Sequence, residues 1–281
     1  MATITNQANL TYTYGTTTAS VLSNLAETEW NASLSVEKRA LEDEYREGST
    51  LTYLISLHNL SAAAIENLAV TDDLGAYTPA GSDTPVVPLT LAESATLYVN
   101  GTFSEELEPQ TVPGGVQFTI PSIPADANAL LIYQATANSF APLSVGSEIT
   151  NTVSVGEAEP LTASATVPVA EYADVSIEKE MGPNPITGGG QLFVTFTIEN
   201  RGNVEATALS LTDDFPLTLS DVAVTVNGAP STDFTFAANT FTLPSGTQGT
   251  LSVPAATFTQ DDAGTITVNP GVLTVTLTGT V

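Results

Sequence analysis

Hydrophobic and polar residues alternate with a two-residue period along most of the chain. Leu34, Val36 and Lys38 fall on one face of a strand, and Leu51, Tyr53, Ile55 and Leu57 on one face of another. Runs rich in Thr, Val and Leu, punctuated by Gly, Pro, Asn and Asp, continue to Val281 without a long segment of 3.6-residue period. The pattern predicts an all-β chain.

The strands repeat. Lys38 recurs as Lys179, Leu51 to Asn59 as Leu192 to Asn200, and Thr71-Asp72-Asp73 as Thr212-Asp213-Asp214, all at a constant offset of 141 residues. Further on, Asn100-Gly101 matches Asn227-Gly228 and Phe118 to Pro121 matches Phe241 to Pro244, with shorter loops expected in the second copy. Leu130 to Ala137 aligns roughly with Leu273 to Thr280. Two tandem β-sandwiches follow, at residues 32–170 and 171–281.

The first copy then continues through Ile149-Thr150-Asn151, Val153, Val155, Gly156 and Thr162-Ala163-Ser164, and the second, as read to Val281, has no counterpart. The same succession stands at the start of the chain: Ile4-Thr5-Asn6, Ala8, Leu10, Gly15 and Thr18-Ala19-Ser20. Residues 1–24 therefore read as a closing hairpin without a domain in front of it, joined by a connector at 25–31 to the first sandwich. A globule of about 140 residues is roughly 37 Å across, whereas a connector of this length spans at most about 25 Å. Reaching the second sandwich of the same chain is difficult, so the hairpin is expected to complete that sandwich in a neighbouring subunit by donor strand complementation. Ile4, Asn6, Ala8 and Leu10 form the inward face of the donor strand. Such a head-to-tail contact is heterologous and builds an open filament unless it closes into a ring.

Ser-Val-Glu-Lys at 35–38, Leu-Thr-Tyr-Leu-Ile-Ser-Leu-His-Asn at 51–59 and Leu-Ala-Val-Thr-Asp-Asp-Leu at 68–74 resemble the repeat called domain of unknown function 11, and the likeness extends over most of both units. That family occurs in prokaryotic surface and cell-wall proteins. The resemblance implies an immunoglobulin-like sandwich and a surface setting, and supplies no activity.

Composition narrows the partners. Thirty-one acidic against five basic residues give a formal net charge of -26, which repels nucleic acid and anionic membranes. Salt or divalent cations would ease the approach of like-charged subunits. The absence of cysteine excludes disulfides and thiolate chemistry. The opening Met-Ala-Thr-Ile has no basic or apolar leader character, and no apolar run of 18 residues or more is present, so neither a signal peptide nor membrane insertion is expected. No cofactor or metal is expected either. His58 is a lone histidine, and the pairs Asp72-Asp73, Asp213-Asp214 and Asp261-Asp262 do not match a calcium loop.

The candidate chemistry lies in two lysines, the only ones in the chain, at equivalent positions. Strand parity turns Lys38 inward with Asp72 and Asn151, and Lys179 inward with Asp213. Asn6 of the donor hairpin would join the second pair. A buried ammonium requires a partner, and two readings remain. One is a structural Lys–Asp pair in each unit. The other is a spontaneous isopeptide bond, in which the desolvated amine attacks the Asn amide with help from the acid. The second arrangement resembles collagen-adhesin B-type domains of surface pili. It would link Lys38 to Asn151 within one chain, with Asp72 assisting, and Lys179 to Asn6 between chains, with Asp213 assisting.

The residues thus point to a structural subunit rather than an enzyme: a self-assembling bacterial extracellular or spore-surface fibre, attached through an anchor or tip protein of unknown identity. The alternative is a monomeric or dimeric adhesive module, with loops such as 79–95 binding a ligand.

Overall fold

The strand Thr50–Asn59 shows how the alternation becomes architecture: Leu51, Tyr53, Ile55, Leu57 and Asn59 are buried, and the residues between them face outward. The computed structural model describes residues 2–30, 33–156, 160–246 and 248–281. The chain is all-β, with two tandem immunoglobulin-like sandwiches.

In the first unit, one sheet runs in the order Thr102–Leu107, Ala95–Val99, Asn128–Ala137, Thr50–Asn59, Leu34–Ala40, with Leu89–Leu91 also on Asn128–Ala137. The facing sheet runs Gln110–Val112, Gly115–Ile123, Ile65–Asp72, Glu148–Val155, Leu161–Pro168. The last two strands form a closing hairpin. Glu148–Val155 pairs with Ile65–Asp72, and Leu161–Pro168 lies along Leu34–Ala40 of the other sheet, which closes one side of the sandwich. Ile149, Val153, Val155, Ala165 and Val167 of this hairpin are part of the core.

The second unit repeats one sheet: Val175–Gly182, Gln191–Asn200, Gly271–Thr280, Ser220–Val226, Ala229–Ser231. Opposite it, Leu211–Asp214 pairs with Thr240–Leu243, and Ala206–Leu209 with Leu251–Val253. Among the described residues no strand pairs the other edge of Ala206–Leu209 and Leu211–Asp214.

Three features depart from the sequence expectation. Residues 25–31 are not a plain connector: Ala26–Trp30 is a strand paired with Ala2–Asn6, while Asn9–Tyr14 pairs with Thr17–Leu22 around Gly15. The hairpin is therefore an arm spanning 2–30, longer than 1–24. Its two halves meet at a one-residue register shift, where Ser23 Oγ accepts from Ala8 N and Ser23 N donates to Ala8 O (both 2.9 Å). Residues 31 and 32, the rest of the join, lie outside the described residues. The third departure is a longer loop in the second unit. Thr257–Gln260 and Ile266–Asn269 form an inserted hairpin that seats Phe258, Ile266 and Val268 against the first unit's core. Gln260 Nε2 donates to the Tyr77 hydroxyl (2.8 Å), Ile266 N to Ser139 O (2.7 Å), and the buried Asn203 Nδ2 to Leu143 O and Ala170 O (3.1 and 2.8 Å). The joint between the units is held on both sides.

Candidate functional site

Inside the first unit, strand parity brings Lys38, Asp72 and Asn151 to one buried place. Lys38 Nζ donates to Asp72 Oδ2 at 2.7 Å, with both side chains wholly buried. The Tyr133 hydroxyl donates to the same oxygen at 2.6 Å and accepts from Asn151 Nδ2 at 2.9 Å. Asp72 Oδ1 accepts from Leu74 N at 3.0 Å, so the carboxylate is fixed at both oxygens. Lys38 Nζ also lies 5.1 Å from the ring centre of Tyr53 and 5.9 Å from that of Tyr133, two stacked rings that shield it from water. Among the described residues the hydroxyl of Tyr53 and the Oδ1 of Asn151 are buried without hydrogen-bond partners.

This environment changes proton affinities. Burial draws the Lys38 ammonium below the ordinary lysine value, against the attraction of Asp72. Burial raises the Tyr133 hydroxyl well above the ordinary tyrosine value, and the Asp72 charge raises it further. Neighbouring Asp73 is raised by burial too, although Thr152 N and Gly75 N both donate to its Oδ1 (2.8 Å each). The Thr152 bond staples the closing hairpin to Ile65–Asp72. Sequence reasoning reached Lys38, Asp72 and Asn151 and missed Tyr133 and Tyr53, which read as ordinary core aromatics.

The second unit has the same ion pair in a more open setting. Lys179 Nζ lies 2.5 Å from Asp213 Oδ2, but the two side chains are 35% and 16% exposed. Phe215 and Phe196 flank the ammonium at 5.1 and 5.6 Å. Tyr53 and Tyr133 face each other across their ladder, and the matching pair here is Val194 and Leu277, so the two hydroxyls have no equivalent. Where Leu34 is buried, Val175 is 41% exposed, and beyond it Ile177 is 56% exposed and Met181 61%. An apolar groove of about 180 Å³ opens between Val175, Ile177, Ile198, Leu209, Leu211 and Leu251. It lies where the first unit has its closing hairpin.

Asn6 is not at this pair. It sits on the arm, exposed, opposite Ala26, as Asn151 sits opposite Ala165 in the closing hairpin. Ile4 pairs with Thr28. From Thr5 to Glu27 every side chain of the arm is exposed except the half-buried Ala19, and among the described residues Ala8 and Leu10 join neither core. The face assigned to Asn6, Ala8 and Leu10 continues through Tyr12 and Tyr14, whose rings stack at 6.1 Å, with Val21 and Ala19 across the ladder.

Other residues of the repeat and of the acidic pairs have structural roles. Asn59 Nδ2 donates to Ala63 O, Ile123 O and Pro124 O, and Asn200 Nδ2 to Val204 O and Pro254 O, so both asparagines tie loops to strand ends. Asp261 caps its own hairpin turn by accepting from Thr265 N.

No family model matches the chain, and no curated protein matches it. Solved structures resemble it at low identity. BcpA, the major pilin subunit of Bacillus cereus, is 11% identical over 94% of this chain and 77% of its own, with a TM-score of 0.36. The pilus backbone RrgB from Streptococcus pneumoniae is 15% identical over 85% of this chain, which spans 56% of that protein, with a TM-score of 0.32. The type II cohesin dyad from the adaptor ScaA scaffoldin of Acetivibrio cellulolyticus is 8% identical over 87% of this chain and 77% of its own, with a TM-score of 0.24. At such scores the likeness carries no argument about function, and the architecture rests on the strand ladders themselves.

Proposed function

We propose that this chain is a structural subunit of a bacterial surface or spore-surface fibre, polymerising head to tail as the arm of one copy enters the second unit of the next. A single observation carries the reading: the groove beside Val175 and Ile177 lies where the first unit holds its closing hairpin, and the same chain displays an exposed hairpin matching that one. The match includes the sequence Ile-Thr-Asn and the Asn–Ala cross-strand pair. Burying each large apolar side chain of arm and groove is worth about 1.5–3 kcal/mol. Added strands would also pair the open edge of Leu211–Asp214. The acceptor and donor are different surfaces, so the contact is heterologous and builds an open chain unless it closes into a ring. The resemblance of both units to the domain of unknown function 11 repeats supports a surface setting.

The lysine sites would lock such a fibre. In the first unit Lys38 gives a proton to Asp72, and its neutral amine attacks Asn151 Cγ. The new C–N bond forms as the bond to Nδ2 breaks: Asp72 hands its proton to the departing Nδ2, which leaves as ammonia, and takes up the second proton that the attacking nitrogen sheds. Between subunits, Lys179, Asp213 and the incoming Asn6 would undergo the same exchange. Removing residues 2–30 tests the assembly: the truncated chain should stay folded and monomeric, and a synthetic 2–30 peptide should bind it. Polymers that persist without the arm would refute the proposal.

A further inference from the structure

The two hairpins differ in length beyond their asparagines. In the closing hairpin the strand after Asn151 ends at Val155, and Gly156 N donates to Ala69 O as the chain turns away. In the arm the strand after Asn6 continues to Tyr14 before Gly15 turns it. The arm thus admits two registers in its acceptor. With the turns superposed, Leu10 takes the place of Asn151 and no amide reaches Lys179. With the asparagines superposed, the arm projects four residues further along the acceptor edge than the closing hairpin does.

We infer that the asparagine-matched register is the one used, with Tyr12 as the anchor that fills the acceptor groove; this rests on the assembly proposed above. Three observations carry it. The Asn6–Ala26 pair reproduces Asn151–Ala165, whereas the turn-matched partners Leu10 and Val21 do not. The acceptor edge has room for the extra length, because Ala206–Leu209 continues Leu211–Asp214 with its outer edge unpaired among the described residues. The unfilled apolar volume lies at that end too, between Val175, Leu209, Leu211 and Leu251, beyond the ion pair.

Carrying over the pairing of Val153 with Asp72 and of Val155 with Val70, this register sets Ala8 opposite Asp213, Leu10 opposite Leu211 and Tyr12 opposite Leu209. The long ring of Tyr12 then enters the groove, and its hydroxyl points toward the solvated rim. Gln7 N falls where Thr152 N donates to Asp73, so Asp214 would accept it as a second staple.

The absence of cysteine makes the register directly readable. Thr212 takes the place of Thr71, which pairs with Ser154. In the inferred register Thr212 faces Asn9, and in the turn-matched register it faces Thr13. All three side chains are exposed, so cysteine there does not threaten the fold. Thr212→Cys is combined with Asn9→Cys in one variant and with Thr13→Cys in another, both in a Lys179→Ala background where no amide ladder competes. After mild oxidation, the Asn9 variant should give a ladder on a non-reducing denaturing gel that reductant collapses, at least ten-fold stronger than any from the Thr13 variant. A ladder from Thr13→Cys alone, or equal ladders from both, would overturn the register and leave strand donation standing. If neither variant links, the register and the donation both fall.

Discussion

The two sandwiches are built on one plan and differ at one side. In the first, the closing hairpin covers Leu34 and the Lys38–Asp72 pair, and the pair is wholly dry. In the second, the corresponding side is open, Val175 and Ile177 face solvent, and Lys179 is partly wet. The first unit therefore serves as an internal picture of what the second would become once two strands are added. An ion pair that is only half desolvated is weak until something covers it. The difference teaches that the same Lys–Asp pair is dry where a closing hairpin covers it and partly solvated where that side is open.

The sharpest way to break the comparison is to remove one lysine at a time. Lys179→Ala should abolish any boiling-resistant ladder of full-length protein, whereas Lys38→Ala should leave it. Mass spectrometry should find wild-type chains lighter by about 17 Da for each ammonia released. A ladder indifferent to both changes contradicts the crosslink assignment.

Stability separates the same two sites more gradually. Lys38→Ala removes the proposed covalent tie to Asn151 and leaves the Asp72 carboxyl buried without its partner, and should cost the first unit at least about 3–5 kcal/mol in denaturant unfolding. Lys179→Ala in the arm-deleted monomer should cost the second unit less than about 1 kcal/mol, because its pair is partly solvated. Equal losses would show that the difference in burial has no energetic meaning. Tyr133→Phe removes the hydroxyl between Asp72 and Asn151 and should cost about 1–3 kcal/mol, also confined to the first unit.

Alkaline pH should sharpen the contrast least strongly but most visibly. Tyr45, Tyr53 and Tyr133 are all raised by burial above the ordinary value of 10.0. A folded value above the unfolded one contributes stability that is fully present below about pH 10 and lost as pH rises through the folded values. The second unit has one tyrosine, Tyr172, near the joint. Phenolate absorbance in a pH titration of the Lys38→Met chain should therefore show a late step coinciding with unfolding of the first unit. Ionisation of all eight tyrosines near pH 10 before unfolding would contradict this.

Much of this was legible in the sequence because period-two alternation ties side-chain direction to position. Parity alone placed Lys38, Asp72 and Asn151 on inward faces, and the repeat tied residues 4–20 to the closing hairpin at 149–164. Tyr133 was not legible, since among Leu131 and Ala135 an inward tyrosine looks like core and its hydroxyl's partners come from distant strands. Ala-Glu-Thr-Glu-Trp at 26–30 looked like a linker because its strand character depends on a partner twenty-odd residues away, paired across a register shift. The inserted hairpin at 257–269 carries no repeat counterpart, and its packing against the first unit is a tertiary contact that local pattern does not encode.

Negative-stain electron microscopy of the purified full-length protein tests the central claim most directly. The account predicts thin filaments of end-to-end, two-lobed subunits. A uniform field of separate two-lobed particles, at concentrations well above those used for the gels, would contradict it.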